Sequence, residues 1–200
     1  MSKTKKNRYY VINTYTMMIQ PMRYENKLYS RILQLDGELH SPLKPTELIK
    51  MSCLDNASSY EGRVYGSRYI LGRYQKVPIA INAENQMYFF PTTSPDNTDC
   101  IWINPIHVDH ISKQDNKKIL VRFHNNQTIE ISVSQHVFIN QMHKTMTLRN
   151  KVIQKNHENQ GSSHALYKNN ARISERGISS SYDKSLNRHK RPPGKPEEDE

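Results

Sequence analysis

This sequence of 200 residues predicts an α+β fold, mainly antiparallel β-sheet with two helices and a disordered C-terminal tail. Three observations carry that reading. Short runs rich in Val, Ile, Tyr, Thr and Phe recur as far as Val133, separated by turn-forming pairs such as Asp36-Gly37 and Asn125-Asn126. Pro45, well placed at a first helical position, precedes Leu48, Ile49, Met51 and Cys53, which predicts a short helix near 45–55. Ser134 fits an N-cap, and Val137, Phe138, Met142, Thr145, Met146, Arg149 and Ile153 then recur at helical spacing, which predicts a longer helix near 134–154.

In chain order, residues 1–8 hold four cations and no acid and read as a flexible basic arm. Tyr9 to Met22 reads as one or two strands, with Pro21 closing it. Leu28 to Leu35 and Glu38 to His40 flank Asp36-Gly37 and form a hairpin, and Pro42 and Pro45 break the sheet. Pro78 to Ile81, Met87 to Phe90 and Cys100 to Ile103 are three short strands, linked by Ala83-Glu84-Asn85 and by the polar loop Thr92 to Asp99. Trp102, among isoleucines, reads as a core anchor. Ile119 to Phe123 and Thr128 to Val133 pair across Asn125-Asn126. The apolar stripe of the last helix is core or, in an oligomer, interface. From Gln154 the apolar residues thin out, so residues 154–200 read as a disordered polyampholyte tail and 9–153 as the single folded domain.

The net charge is +10 and the pI about 9.5, with the excess shared between the arm and the body. That is the electrostatic footprint of a nucleic-acid binder. No apolar run approaches the ~20 residues that span a bilayer, and the N-terminus lacks the apolar core of a signal peptide. A cytoplasmic protein with no membrane partner is expected. Cys53 and Cys100 sit among apolar neighbours and read as buried free thiols. Pro95-Asp96 with Asp115-Asn116-Lys117 formally fits a sparse metal-dependent nuclease pattern, but both halves fall in turn-rich loops, poor places to hold two carboxylates and a lysine in register. His107 and Asp109 would lie on the opposite strand face from His110, so with His124 they form no converging metal set. Neither an enzyme nor a cofactor is expected.

The stretch that carries chemistry is 58–76, SSYEGRVYGSRYILGRYQK. It alternates Arg63, Arg68, Arg73 and Lys76 with Tyr60, Tyr65, Tyr69 and Tyr74. Guanidinium groups neutralise phosphates and enter a narrow A·T-rich minor groove, while tyrosines add area and a hydroxyl for sugar or phosphate. The hydroxyls of Ser58 and Ser59 suit phosphate, and equally suit a cap or a turn. Gly62, Gly66 and Gly72 do not have the spacing of a dinucleotide fingerprint. A tyrosine-rich sheet face with outward arginines fits the same pattern.

The order Ser52-Cys53, Ser58-Ser59-Tyr60, Gly62-Arg63, Gly66, Tyr69, Pro78-Ile79, Asn85-Gln86, Phe90-Pro91-Thr92, Ser94, Cys100, Trp102-Ile103 and His107-Val108 resembles the ComK family of competence transcription factors. The likeness resumes at Phe138, Asn140-Gln141, Thr145 and Leu148-Arg149, and spans about Tyr9 to Ile153. It implies a sequence-specific activator of DNA-uptake genes that binds double-stranded A/T-rich DNA at paired boxes, largely through the minor groove. It also implies a homo-oligomer, dimers assembling on DNA, with RNA polymerase and an adaptor–protease system as further partners. The short aromatic-Pro-Lys segment through which such adaptors act has no clear equivalent in this tail. On this reading Ser58, Ser59, Tyr60, Arg63, Tyr65, Arg68, Tyr69, Arg73 and Lys76 form the DNA-binding set. Two other classes fit the composition: a single-stranded nucleic-acid binder that stacks bases on the tyrosines, and a partner-binding protein whose long helix docks another chain.

Overall fold

A computed structural model describes residues 10–72 and 75–159, so the arm 1–8, Tyr9, Arg73, Tyr74 and residues 160–200 of the expected tail 154–200 lie outside the described residues, while 154–159 are helical. The chain divides into two units, Met1–Ile153 and Gln154–Glu200, and apart from residues 154–159 of the last helix the sheets and helices below belong to the first.

Strands β1 (Thr16–Tyr24) and β2 (Lys27–Gln34) form a hairpin whose turn residues, Glu25 and Asn26, have φ of 45° and 59°, the type I′ pattern. Strand β3 (Gly37–Ser41) returns along β2 from the turn that Asp36-Gly37 marked. The expectation that Pro21 closes the first strand is corrected: β1 continues to Tyr24 with Pro21 opposite Ser30. The second neighbour of β1, β6 (Trp102–Ile103), pairs with it only at Met18 and Ile19, and a proline is tolerated on a stretch of strand with an open edge.

Helix α1 (Pro45–Asp55) starts at the expected proline, and the Glu47 carboxylate accepts the Lys44 N–H at 3.2 Å. Helix α2 (Tyr60–Leu71) was not legible as a helix in the basic-aromatic stretch. Ser59 caps it, accepting the Gly62 N–H at 3.0 Å, and Gly72 ends it with a φ of 91° that a side chain would resist. Then come β4 (Ile79–Asn82), β5 (Met87–Pro91), a 3-10 turn at Pro105–His107, and β7 (Val108–Lys113), β8 (Ile119–Phe123) and β9 (Thr128–Ile131). Helix α3 covers residues 135–159, of which 135–153 lie in the first unit. Ser134 caps it, with Oγ accepting the Val137 N–H at 3.4 Å.

The larger sheet runs β3-β2-β1-β6-β5-β4 and the smaller β7-β8-β9, all antiparallel. Alternation along the larger sheet sends Ile19, Ile32, Phe89 and Trp102 into one cluster with Leu48 and Ile49 of α1. Their neighbours Met18, Leu33, Phe90 and Ile103 join a second cluster with Val121 and Phe123 of the smaller sheet and Phe138 of α3. Phe90 meets Phe138 edge to face at 5.3 Å. Both faces of the sheet are therefore buried, which is why its strands read as runs such as MMI and YFF rather than as clean alternation.

Candidate nucleic-acid interface

Helical geometry divides the basic-aromatic stretch. Residues 61, 65, 68 and 69 share one side of α2, while 60, 63, 64, 67 and 71 turn toward the sheet. The inward group anchors the helix. Tyr60 meets Trp102 edge-on at 6.3 Å, and the Lys50 ammonium lies 5.5 Å from its ring centre. Burial pushes the Tyr60 phenol up to about 12. The fully buried Trp102 donates its Nε1–H to Thr46 Oγ1 at 3.2 Å, and that hydroxyl donates to the Pro95 carbonyl at 2.8 Å, so α1, the larger sheet and the Ser94–Asp96 turn are tied at one point.

Arg63 is half-buried, and its Nη2 donates to the Asn56 carbonyl at 3.3 Å, just past the end of α1. Asn56 also accepts from Asn82 Nδ2 at 2.8 Å and donates to the Ser52 carbonyl at 2.8 Å. At the other end of α2, Lys151 Nζ reaches the Ile70 carbonyl at 3.2 Å, a cation where the helix dipole is negative. The helix is held at both ends by other elements.

The outward group is open to solvent. Tyr65 and Tyr69 are 74% and 76% exposed, and Arg68 is exposed between them. No ion pair engages Arg68 or Lys76 among the described residues. A methyl group added at Gly66 would meet nothing within 4 Å.

Alongside α2 runs a groove of about 700 Å³. Its walls include Lys50 and Thr46 of α1, Tyr65 and Arg68 of α2, Lys76, and Ser94 to Asp96. The nine expected residues thus take different places. Tyr65, Arg68 and Tyr69 share the exposed face, and Lys76 stands in the groove beside it. Tyr60 and Arg63 face inward, Ser59 caps the helix, and Ser58 Oγ lies 3.4 Å from the Ser59 carbonyl. Arg73 lies outside the described residues. Lys50 was not signalled, because only the helical geometry of α1 and α2 brings it beside Tyr60.

The other candidates stay apart. Asp96 lines this groove, whereas Asp115 accepts the Lys117 N–H at 2.6 Å in the β7–β8 turn. Asp109 pairs with Arg122 at 2.7 Å, and His107 is buried with Nε2–H donating to the Thr14 carbonyl at 2.9 Å. No cluster of three or more His, Cys, Asp or Glu suited to a metal occurs among the described residues. Cys53 and Cys100 are buried free thiols, each pushed up to about 11 by burial. None of the described helices is long and apolar enough to cross a membrane.

The fold is a two-sheet α+β body that displays a capped, anchored helix with Glu61, Tyr65, Arg68 and Tyr69 exposed on its outer side. Its family follows from comparison with known proteins: residues 6–157 match the ComK protein family, and the chain belongs to it. It is 32% identical over 142 residues to the competence transcription factor of Bacillus subtilis (strain 168), covering 71% of this chain and 74% of that relative. No solved structure matches the chain. Family and relative together place it among the competence transcription regulators.

Proposed function

We propose that the protein is a sequence-specific activator that binds double-stranded DNA at paired A/T-rich boxes through the exposed face of α2, with more than one copy on the paired boxes. The observation that carries this reading is the grouping of Tyr65, Arg68 and Tyr69 on the solvent side of a helix whose other side is locked to the core. A rigid display of a guanidinium that has no ion pair among the described residues, between two phenols, suits the sugar-phosphate backbone and its grooves. A helix ~10–12 Å across does not enter a minor groove ~6 Å wide, so α2 lies along the backbone and Arg68 reaches in. A narrow A-tract groove concentrates negative potential where such an arginine points. Tyr60, Arg63 and Ser59 then serve as positioning residues, and the cytoplasm, at the nucleoid, is where such an activator works.

Tyrosines as open as Tyr65 and Tyr69 also suit base stacking on a single strand. Fluorescence anisotropy separates the two readings. The full chain is titrated against a duplex with two A/T boxes, a G·C-scrambled duplex and the single strand, across a salt series. Tight binding to the A/T duplex that persists at physiological salt supports the activator. Preference for the single strand transfers the site to stacking, and equal weak binding that vanishes with salt leaves only nonspecific charge.

A further inference from the structure

Lys76 has a left-handed backbone, φ 54°, without being glycine. A side chain in that region is strained, and such strain persists only where neighbouring groups impose it. Here the neighbour is Gln141 of α3, 3% exposed, whose Nε2 donates to the Lys76 carbonyl at 2.8 Å and to the Pro91 carbonyl at 3.0 Å. Both amide protons are thereby used, and the turn carrying Lys76 is fastened to the end of β5.

Lys76 lines the groove beside α2, as do Arg68 and Lys50. Neither Lys76 nor Arg68 has an ion-pair partner among the described residues, and Lys50 is engaged by the Tyr60 ring. Three cationic residues supplied by α1, α2 and the turn before β4 thus border one open channel. Two acids, Glu61 and Asp96, line it as well.

We propose that this groove is the track for the phosphates of one DNA strand, and that Gln141 is a positioning residue that fixes Lys76 on it. The inference rests on the reading that α2 faces duplex DNA, and it adds the second wall. A polyanion in the channel meets Lys76 as a phosphate contact, passes Arg68 where that side chain turns to the groove, and is opposed by the Asp96 carboxylate. Gln141 acts without touching the nucleic acid: removing its amide lets the turn relax, and the ammonium of Lys76 then samples positions off the track.

The test measures affinity and its salt dependence on the two-box A/T duplex for the full chain and for Lys76→Ala, Gln141→Met, the two together, Asp96→Asn and Asp115→Asn. Each phosphate contact contributes about 0.9 to the slope of log K against log salt. Lys76→Ala is expected to lower that slope by about one. Gln141→Met should lower it similarly, and the double variant should do little more than either alone, a pattern that general loosening of the fold does not produce. Asp96→Asn should tighten binding about threefold or more at low salt, while Asp115→Asn, the same charge change outside the groove, should not match it. Gln141→Met serves only if it folds; Asp96→Asn makes the test independent of that, since a gain in affinity is not a symptom of unfolding.

Slopes unchanged in Lys76→Ala, or equal small gains for the two aspartate variants, would overturn the groove while leaving α2 as the DNA face, provided the full chain binds the A/T duplex. A full chain that ignores duplex DNA overturns both.

Discussion

Arg63 and Arg68 are five positions apart on one helix, and the helix turns them to opposite sides. Arg68 is exposed and has no ion pair among the described residues, whereas Arg63 spends a guanidinium N–H on the Asn56 carbonyl at the end of α1. Hydrogen bonds from charged donors are worth roughly 1.5–3 kcal/mol, and the aliphatic stem of Arg63 adds packing. The buried Arg63 Nε finds no hydrogen-bond partner among the described residues and offsets part of this, so Arg63→Ala is expected to lower stability by about 1–2 kcal/mol in urea unfolding, with its effect on DNA affinity following the loss of folded protein. The sequence did name both residues, because cation-ring alternation is visible in the letters. It did not separate inward from outward members, since that depends on the 100° turn of a helix not itself apparent.

His107, the last residue of the 3-10 turn, is buried. Burial holds its pKa below the ordinary value, the hydrogen bond to the Thr14 carbonyl acts in the opposite direction, and the nearby His124 adds a smaller depression. Asp109 Oδ1 lies 3.9 Å from His124 Nδ1, and Asp109 is engaged by Arg122. Because the folded pKa lies below the unfolded one, folding favours the neutral imidazole. The stabilisation is complete above the unfolded value near 6.5 and is lost as pH falls through it toward the folded value. Urea midpoints between pH 7.5 and 5 should fall with acidification, with the His107 contribution limited to ~1.4 kcal/mol per pH unit. His107→Gln should flatten that part of the dependence.

At the scale of elements, α2 is the instructive case. Gly62 and Gly66 weaken helical propensity, by up to about 1 kcal/mol each relative to alanine, and they kept the segment from reading as a helix. What forms it is tertiary: the Ser59 cap, Tyr60 against Trp102, Arg63 on Asn56, and Lys151 on the last turn. Gly66 has helical φ and open space where a Cβ would stand, so the fold itself does not demand glycine there. Gly66→Ala should raise stability by about 0.5–1 kcal/mol. Under the proposed docking of α2 along the backbone it should also weaken binding to the A/T duplex, so that stability and affinity move in opposite directions.

The helices at Pro45 and Ser134 and the hairpins at Asp36-Gly37 and Asn125-Asn126 were legible, since each has a local signal: a proline at the first turn, a capping serine, a turn dipeptide. The β1–β2 hairpin was not. Its turn residues Glu25 and Asn26 lack the usual glycine, and Pro21 gave a misleading stop. Gln141, a polar residue on the buried side of α3, was visible only as part of a family likeness; its two bonds span 65 and 50 positions of sequence.

At the scale of the whole molecule, charge and family converge. A net charge of +10 draws the protein to any polyanion, and membership of the ComK family ties that attraction to competence transcription. Charge alone predicts indifference to sequence and strong loss with salt, whereas a positioned arginine predicts discrimination that outlasts the salt. The body that positions it is two sheets and three helices whose shared core leaves one side of α2 open.

The most direct test of that claim is the dissociation constant of Arg68→Ala on the two-box A/T duplex and on its G·C-scrambled counterpart at physiological salt, beside the unaltered chain. A groove contact by Arg68 predicts a loss of about tenfold or more on the A/T duplex, the scale of roughly 1–3 kcal/mol for such a contact, a smaller loss on the scrambled duplex, and an unchanged urea midpoint. If the unaltered chain binds the A/T duplex tightly and Arg68→Ala binds it equally well, the exposed face of α2 is not where this protein meets DNA.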